Sequence, residues 1–530
     1  MKVYEYISNK LKENGCKRAF GVPGSYVMPL WQNIDMPITL CVHEGDASYI
    51  ASAYAKKSKE LTLVLVTSSP GVTNSISGIA SSFRDSTSVI MISGTTPIDL
   101  RKKGAFQEES NYDRAFYSTN ITRGITKKNF VIKNVNDVQT VIKDAIKMAL
   151  TDRKGPVHIS IPIDIQNMDI SDDKFLYINT LDNNIPNYSY KYDKPLIIIG
   201  GGCNNYEVVK KIYEFSERIS APIICSMKGM SYLYKGDYVL GSVGMGCNYE
   251  VIDFIKKYEP QNIYCFGTSL SYKDFSNINT ILENANKYIF SLEDTYAEKF
   301  TNYYHFKTNN LEVVVNNLIK TLPLISNKMK DMIKELNDKI DEKLKKQIEN
   351  SLMSKCIYYI MNNIDLETII TSDAGNHYLD TISCYKARNF ETFYIDAGLA
   401  AMGNGICSAI GLSLATPNKK CISITGDGCA LMNGNSIYTA KFLNLPIIFI
   451  VTNNNSLGRV RIGQLECEKY ISTDINNIDF KKYGESFNVK SFSVDNYDNF
   501  VNVFNSSLKY NETILIEIKC DKDEKPIVFM

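Results

Sequence analysis

Residues 426–428 read Gly-Asp-Gly, directly after the apolar run CISIT, and Asn454 follows Asp427 by 27 positions at the end of a second apolar run. A carboxylate and a carboxamide oxygen suit a hard cation such as Mg²⁺, which takes about six oxygens near 2.1 Å. One carboxylate leaves such a site short of negative charge and of ligands. A diphosphate would supply both. Gly428 lets the backbone approach a phosphate, and the N–H groups of a following helix point towards it. Gly-Asp-Gly alone is an ordinary turn, because Asp bonds its own backbone and Gly takes φ > 0. The pair Asn453-Asn454 at a matching strand end favours the metal reading over the turn.

That reading needs a particular scaffold. CISIT, the helical stretch NSIYTAKFLN (435–444) and the apolar LPIIFIV (445–451) make one strand–helix–strand unit of about 30 residues. In a parallel sheet both strands end on the same edge, where such sheets bind ligands. Similar alternation recurs along the chain, with ITLCVH (38–43), LTLVLVT (61–67), SVIMIS (88–93), PVHISIP (156–162) and KPLIIIGGG opening a middle segment. The expectation is an α/β chain of three doubly wound parallel-sheet domains, at 1–166, 188–325 and 352–530. Residues 167–192 read as a polar linker, and the charged stretch 327–350 as a solvated surface helix between domains. Val3, Tyr6, Ile7 and Leu11 share a helical face, so the opening residues read as an amphipathic helix rather than a signal peptide.

The composition excludes several classes. At 530 residues with a formal net charge of +1, the chain has no basic stripe for nucleic acid or an anionic membrane. No run reaches the roughly 18 apolar residues of a membrane span. The 13 scattered cysteines form no CxxC pair and read as reduced thiols, which places the protein in the cytoplasm. GxxxxGK[ST] is absent, so a P-loop lacks its lysine. The glycines of IIIGGGCNN and GSVGMGCN do not make GxGxxG.

GDGCALMNG…IVTNNNSLG resembles the cofactor motif of the thiamine diphosphate-dependent enzymes, which begins GDG and ends NN. GVPGS (21–25), VHEGDASYIASAYAK (42–56), TSSPGVTNSISGIASSFRDS (67–86) and GAFQE (104–108) resemble the acetolactate synthase branch, in order and spacing over essentially the whole chain. The resemblance implies pyrimidine-binding, central and diphosphate-binding domains in that order. It implies Mg²⁺ on Asp427, Asn454 and the carbonyl of Ser456, where glycine is usual. It assigns the cofactor's diphosphate to Asn376, His377, Gly428 and Cys429, and counts Gly426 and Leu457 among the cofactor-binding residues. His377 reads equally as a capped loop histidine. Met402 and the carbonyl of Ala400, in DAGLAAMGNG, match the stretch that holds the cofactor bent, and Met402 reads also as a core filler. Glu44 matches the glutamate that shares a proton with N1′ of the aminopyrimidine. Glu44 and Asp427 are 383 positions apart, and the resemblance brings them together between two subunits of a homodimer or homotetramer.

The implied activity is decarboxylation of a 2-oxo acid with carboligation to a second carbonyl. The alternative is a non-ligating decarboxylase or C–C lyase that releases an aldehyde or acid. Phe106 and Gln107 match side chains that line the synthase pocket, and Ser25 resembles a serine of benzoylformate decarboxylase. The segment that usually reads LGMVRQWQ is LGRVRIGQ here, with Arg459 for Met and Gly463 for the bulky Trp. Arg459 reads as a carboxylate-binding fork or as a surface cap. The branch's arginine-rich FDDR segment stands as GTSLSYKDFSN, with Lys273 near an arginine position. Lysine cannot form a bidentate fork, so FAD and the usual anchor of the second substrate are left open. A non-catalytic scaffold is a third class, and the presence of Glu44 argues against it.

Overall fold

In a computed structural model, which describes all residues except 152, 183, 185–187, 321–327, 466–468 and 529–530, the apolar runs become strands of three six-stranded sheets. Parts of the expected linker, the end of the expected central domain at 321–325 and the first position of the expected connector helix lie outside the described residues. The first sheet holds β1 (Ala19–Gly21), β2 (Ile38–Leu40), β3 (Thr62–Val66), β4 (Val89–Thr95), β5 (Lys128–Val131) and β6 (Val157–Pro162), in the order β2-β1-β3-β4-β6-β5. The second holds β7 (Pro195–Ile199), β8 (Ile223–Cys225), β9 (Val239–Ser242), β10 (Asn262–Phe266), β11 (Asn286–Ser291) and β12 (Tyr303–Lys307), in the order β12-β11-β10-β7-β8-β9. The third holds β13 (Ile369–Ser372), β14 (Phe393–Ile395), β15 (Cys421–Gly426), β16 (Ile447–Asn453), β17 (Lys490–Val494) and β18 (Ile514–Lys519), in the order β14-β13-β15-β16-β18-β17. Every pairing within these sheets is parallel, as βαβ crossovers require.

The first and third sheets share one strand order, so each has a switch point in the same place: between β1 and β3, and between β13 and β15. Ligands of open parallel sheets bind at such points, beyond the carboxyl ends of the strands. β15 and β16 are buried along their whole length, which explains why CISIT and IIFIV run apolar without alternation.

The first and third domains are packed into one another. Phe20, Tyr49 and Ile50 share a core with Ile406, Ile410 and Phe449. Its seam is the pair of helices Glu44–Ser58 and Asn404–Ala415, which follow the equivalent strands β2 and β14. The connector helix Met329–Gln347 is not wholly solvated: it lays Met329, Ile333, Ile340 and Leu344 against the central domain. Among the described residues no helix is long and apolar enough to cross a membrane.

Candidate active site

At the third sheet's switch point, strand β15 ends on Gly426 and the helix Asp427–Asn433 starts without an intervening turn. The helical stretch expected from residue 435 is therefore preceded by one that begins on the carboxylate itself. Asp427 Oδ1 accepts the Gly428 N–H at 2.7 Å, and Oδ2 accepts the Ser456 N–H at 3.2 Å. The same Ser456 N–H lies 3.2 Å from Asn454 Oδ1. One backbone N–H thus joins the carboxylate, the carboxamide and Ser456. Burial pushes the Asp427 carboxyl up to about 6 against the backbone N–H groups that face it. A cation at this point would restore the charged form. Among the described residues no group of three or more His, Cys, Asp or Glu converges to hold a metal, so a single-carboxylate, oxygen-rich cluster is the arrangement present.

Asn453 has a different task from Asn454. Its carboxamide donates to Glu517 Oε1 at 2.7 Å and to the Ile478 carbonyl at 3.0 Å, which braces the end of β16. The loop beyond is pinned by the Leu457 N–H on the Thr473 carbonyl (2.7 Å) and the Ser456 hydroxyl on the same oxygen (3.0 Å).

Across the switch point, β13 leads into the helix Asn376–Cys384. The His377 ring sits against two glycines: a Cβ on Gly375 or Gly426 would stand 2.4 or 2.9 Å from its Cε1. Burial pushes the imidazole down to about 4, so the ring is neutral at pH 7. Its Nε2 and the Asn376 Oδ1 are buried without a hydrogen-bond partner among the described residues. Such orphans cost about 1–3 kcal/mol each and call for a partner outside the protein. The Asn376 and Asn454 amides each lie 2.8 Å from where a Gly458 Cβ would be, so the two halves of the cluster meet over that glycine. A Cβ on Gly428 would stand 2.7 Å from Leu457 Cδ2 and 3.1 Å from Met402 Cε, which shows all three converging. Cys429 donates its thiol to the Ala374 carbonyl at 3.2 Å and is pushed well above the usual thiol range by burial. These groups fit a diphosphate bound through a divalent cation.

Two carboxylates that the sequence reading passed over hold this cluster together. Asp373, after β13, accepts the Gly405 N–H (2.8 Å) and the Thr425 hydroxyl (2.9 Å). Its signal in the sequence is the one that flagged Asp427: an acid at a strand end close to a glycine. Asp396 organises the loop that carries Ala400 and Met402. It accepts the Leu399 N–H at 2.9 Å, the Ala401 N–H at 3.3 Å, the Asn404 amide at 2.8 Å and the Ser81 hydroxyl at 3.3 Å. Ala400 is held at φ +57°, a left-handed conformation that L residues rarely adopt. Arg84 and Lys273 donate to the carbonyls of Gly398 and Ala397, so the other two domains also grip this loop.

The first sheet contributes a second cluster at its own switch point. Glu44 opens the helix Glu44–Ser58 and is half-buried, with Oε2 accepting the Asn74 amide at 3.0 Å. Ser25 begins the short helix Ser25–Val27 after β1. The Tyr26 hydroxyl donates to the Phe106 carbonyl at 2.5 Å, and the Phe106 side chain is 74% exposed. The Gln107 carbonyl accepts the Ser68 hydroxyl at 2.9 Å, and Gln107 stands at φ +50°. The chain therefore places Ser25, Phe106 and Gln107 on one sheet edge with Glu44 on a neighbouring strand's end, and the Asp427 cluster on another sheet. Asp46, one helical half-turn beyond Glu44, receives the Asn433 amide at 2.5 Å and ties the two domains.

The remaining candidates divide. Arg459 is half-buried in the helix Gly458–Gly463 and has no polar partner among the described residues. Arg461, two residues on, is spent on structure: it pairs with Asp474 (3.2 Å) and Asp523 (3.0 Å) and stacks 3.7 Å over the Tyr470 ring. A Cβ added at Gly463 would meet nothing within 4 Å. Lys273 is engaged with Ala397. His158 is buried between Ser93 and Thr122, each at 2.9 Å. In the central sheet the Gly200 and Gly202 amides are engaged by the carbonyls of Phe266 (2.9 Å) and Gly267 (2.8 Å), so these two N–H groups are already satisfied within the protein.

Comparison with known proteins agrees with this geometry. Residues 1–115 match the N-terminal TPP binding domain of thiamine pyrophosphate enzymes, 190–302 the central domain and 373–518 the C-terminal TPP binding domain. The chain is 27% identical to a probable acetolactate synthase large subunit of Methanocaldococcus jannaschii, over 99% of this chain and 93% of that one. It is 27% identical to the acetolactate synthase large subunit of Lactococcus lactis, over 98% and 92%. It is 24% identical to the acetolactate synthase isozyme 2 large subunit of Escherichia coli, over 98% and 96%. With the three domains matched in order and the cofactor motif folded onto one sheet edge, the chain belongs to the thiamine pyrophosphate enzymes.

Proposed function

We propose that the protein decarboxylates a 2-oxo acid and joins the remaining acyl unit to a second carbonyl, as its acetolactate synthase relatives are named for doing. The observation that carries the reading is the convergence of Asp427, Asn454 and Ser456 with the two unpartnered groups of Asn376 and His377. Asp427, Asn454 and the Ser456 carbonyl would hold Mg²⁺, and Asn376, His377 and the Gly428–Cys429 backbone would hold the diphosphate. Bound there, thiamine diphosphate supplies an electron sink for the carbon that loses CO₂. Glu44 holds a proton at N1′ of the aminopyrimidine, and Met402 and Ala400 support the ring from the other domain. Ser25, Phe106 and Gln107 line the oxo-acid pocket. Arg459, which has no polar side-chain partner among the described residues, binds a substrate carboxylate. The scheme itself calls for no flavin, and a cytoplasmic location accords with the cysteines being free thiols among the described residues.

Glu44 and Asp427 serve one cofactor when two chains pair head to tail. Leu431, Met432, Tyr438 and Phe442 form an apolar strip exposed on the helices Asp427–Asn433 and Ser436–Phe442, as a homodimer contact needs. Light scattering should give twice or four times the chain mass. The open space at Gly463 favours a second reading, non-ligating cleavage of a bulkier oxo acid. A screen of 2-oxo acids with thiamine diphosphate and Mg²⁺, read by CO₂ release and mass spectrometry, tests both. Pyruvate should give an acyloin acid. Clean acetaldehyde would move the assignment to the second reading, and no CO₂ from any oxo acid would refute both.

A further inference from the structure

Glu109 is fully buried, and among the described residues no cation pairs with it. Its Oε1 accepts the Ser68 hydroxyl at 3.0 Å and the Ser69 N–H at 3.2 Å. Its Oε2 accepts the Ser118 hydroxyl at 2.9 Å and the Ser118 N–H at 3.3 Å. The Ser118 hydroxyl, two backbone N–H groups and the Ser68 hydroxyl, whose one proton is shared with the Gln107 carbonyl, thus face a carboxylate that is expensive to bury without a counter-ion. What they fasten bears on the reaction. The Ser68 hydroxyl also lies 2.9 Å from the Gln107 carbonyl. Ser69 (φ +48°) and Gln107 (φ +50°) both stand in the left-handed region, strained for residues other than glycine. Ser69 directly precedes the helix Pro70–Asp85, and Asn74 in that helix's second turn donates to Glu44. The neighbouring Glu108 closes only its own loop, by accepting the N–H groups of Gly104 (2.9 Å) and Ala105 (3.1 Å).

We propose that Glu109 is a positioning residue of the oxo-acid pocket. Its carboxylate fixes the Gln107 loop against the start of the Pro70–Asp85 helix and so sets where Gln107 stands relative to Glu44. The inference rests on reading Gln107 as part of that pocket. Of the two strained residues, the acid holds Ser69 directly, through its N–H, and reaches Gln107 through the shared Ser68 hydroxyl. Glutamine at this position would keep one acceptor but turn its NH₂ group towards a backbone N–H, so it should act as a partial substitute.

The test uses the full-length holoenzyme with Glu109→Ala and Glu109→Gln. KM for the oxo acid should rise on the order of 10-fold or more in the alanine variant and by less in the glutamine variant, since misplacing a contact group by about 1 Å is worth up to 10²-fold. The Kd for thiamine diphosphate, by calorimetry with Mg²⁺ present, should stay within about twofold, because the diphosphate cluster belongs to another domain. Amide hydrogen exchange should accelerate across 104–110 and remain unchanged across 373–458. A folded alanine variant with wild-type KM and wild-type exchange overturns the proposal, as does a joint loss of kcat and cofactor affinity at constant KM. Exchange is read without turnover. A wild-type protein inert towards oxo acids would therefore refute the proposed function, while the exchange data still decide the role of Glu109. Should the alanine variant not fold, Ser118→Ala removes one donor to the same carboxylate: faster exchange across 104–110 supports the clasp and unchanged exchange refutes it.

Discussion

Asp380 offers a quantitative test of how the helix that carries Asn376 and His377 is anchored. It lies one turn beyond them, with no exposed surface. Its Oδ2 accepts the Ser354 hydroxyl and its Oδ1 the Ile527 N–H, both at 2.6 Å. Burial pushes its pKa up to about 7, those hydrogen bonds oppose the shift, and nearby Glu524 adds to it. The unfolded value is about 4. The folded protein therefore keeps a proton that the unfolded chain has lost between these values. The resulting stability is fully present below about pH 4 and is lost as pH rises through about 7. Between pH 5 and pH 8 roughly two units of that window are crossed, or about 3 kcal/mol. Asn at this position carries no charge in either state and can donate to the Ser354 oxygen, whose own proton is free for Ser351 at 2.9 Å. Asp380→Asn should thus be level with or slightly below wild type at pH 5 and clearly more stable at pH 8. At roughly 1 °C per kcal/mol for a cooperative unit of this length, the difference in melting temperature should swing by about 3 °C. Differential scanning calorimetry of both proteins from pH 5 to pH 8 measures it, and the titrations of groups that do not interact with Asp380 cancel in the difference. Parallel curves would show that Asp380 is charged throughout and that its helix is anchored by an ordinary carboxylate.

Three further outcomes follow from the site. Glu44→Gln should lower kcat by about 10²–10⁴-fold with cofactor affinity retained, and unchanged kinetics would remove the glutamate from the proton transfer. Gly458→Ala puts a methyl group 2.8 Å from both the Asn376 and Asn454 amides, so Mg²⁺-dependent cofactor binding should weaken about 10-fold or more by calorimetry. Arg459→Ala should raise KM for the oxo acid by about 10-fold with little change in melting temperature, whereas Arg461→Ala, which strips a buried ion-paired group, should lower the melting temperature. Identical behaviour of the two arginine variants would refute the division of labour between them.

The sheets were legible in the sequence because a strand buried on both faces has to be apolar throughout, as CISIT and IIFIV are. Asp427 and Asn454 were legible for a topological reason: parallel strands that neighbour one another end together. Less visible was whatever depends on partners far along the chain. Arg459 and Arg461 look alike in RVR, and only Asp474 and Asp523, folded back onto the second of them, tell them apart. Asp396 reads as one acid in DAGLAAMG until Ser81, from another domain, meets it. The identical strand order of the first and third sheets is carried by crossovers rather than by residue identities, so no repeat shows in the sequence.

The grip on residues 396–401 comes from three directions: Ser81 and Arg84 of the first domain, Lys273 of the central one and Asn404 of the third. The middle domain thus has a structural part in the third domain's loop: through Lys273 it braces the segment that carries Ala400 and Met402. Chimeras that exchange this domain among relatives should therefore work only when the incoming domain carries a side chain that reaches the Ala397 carbonyl.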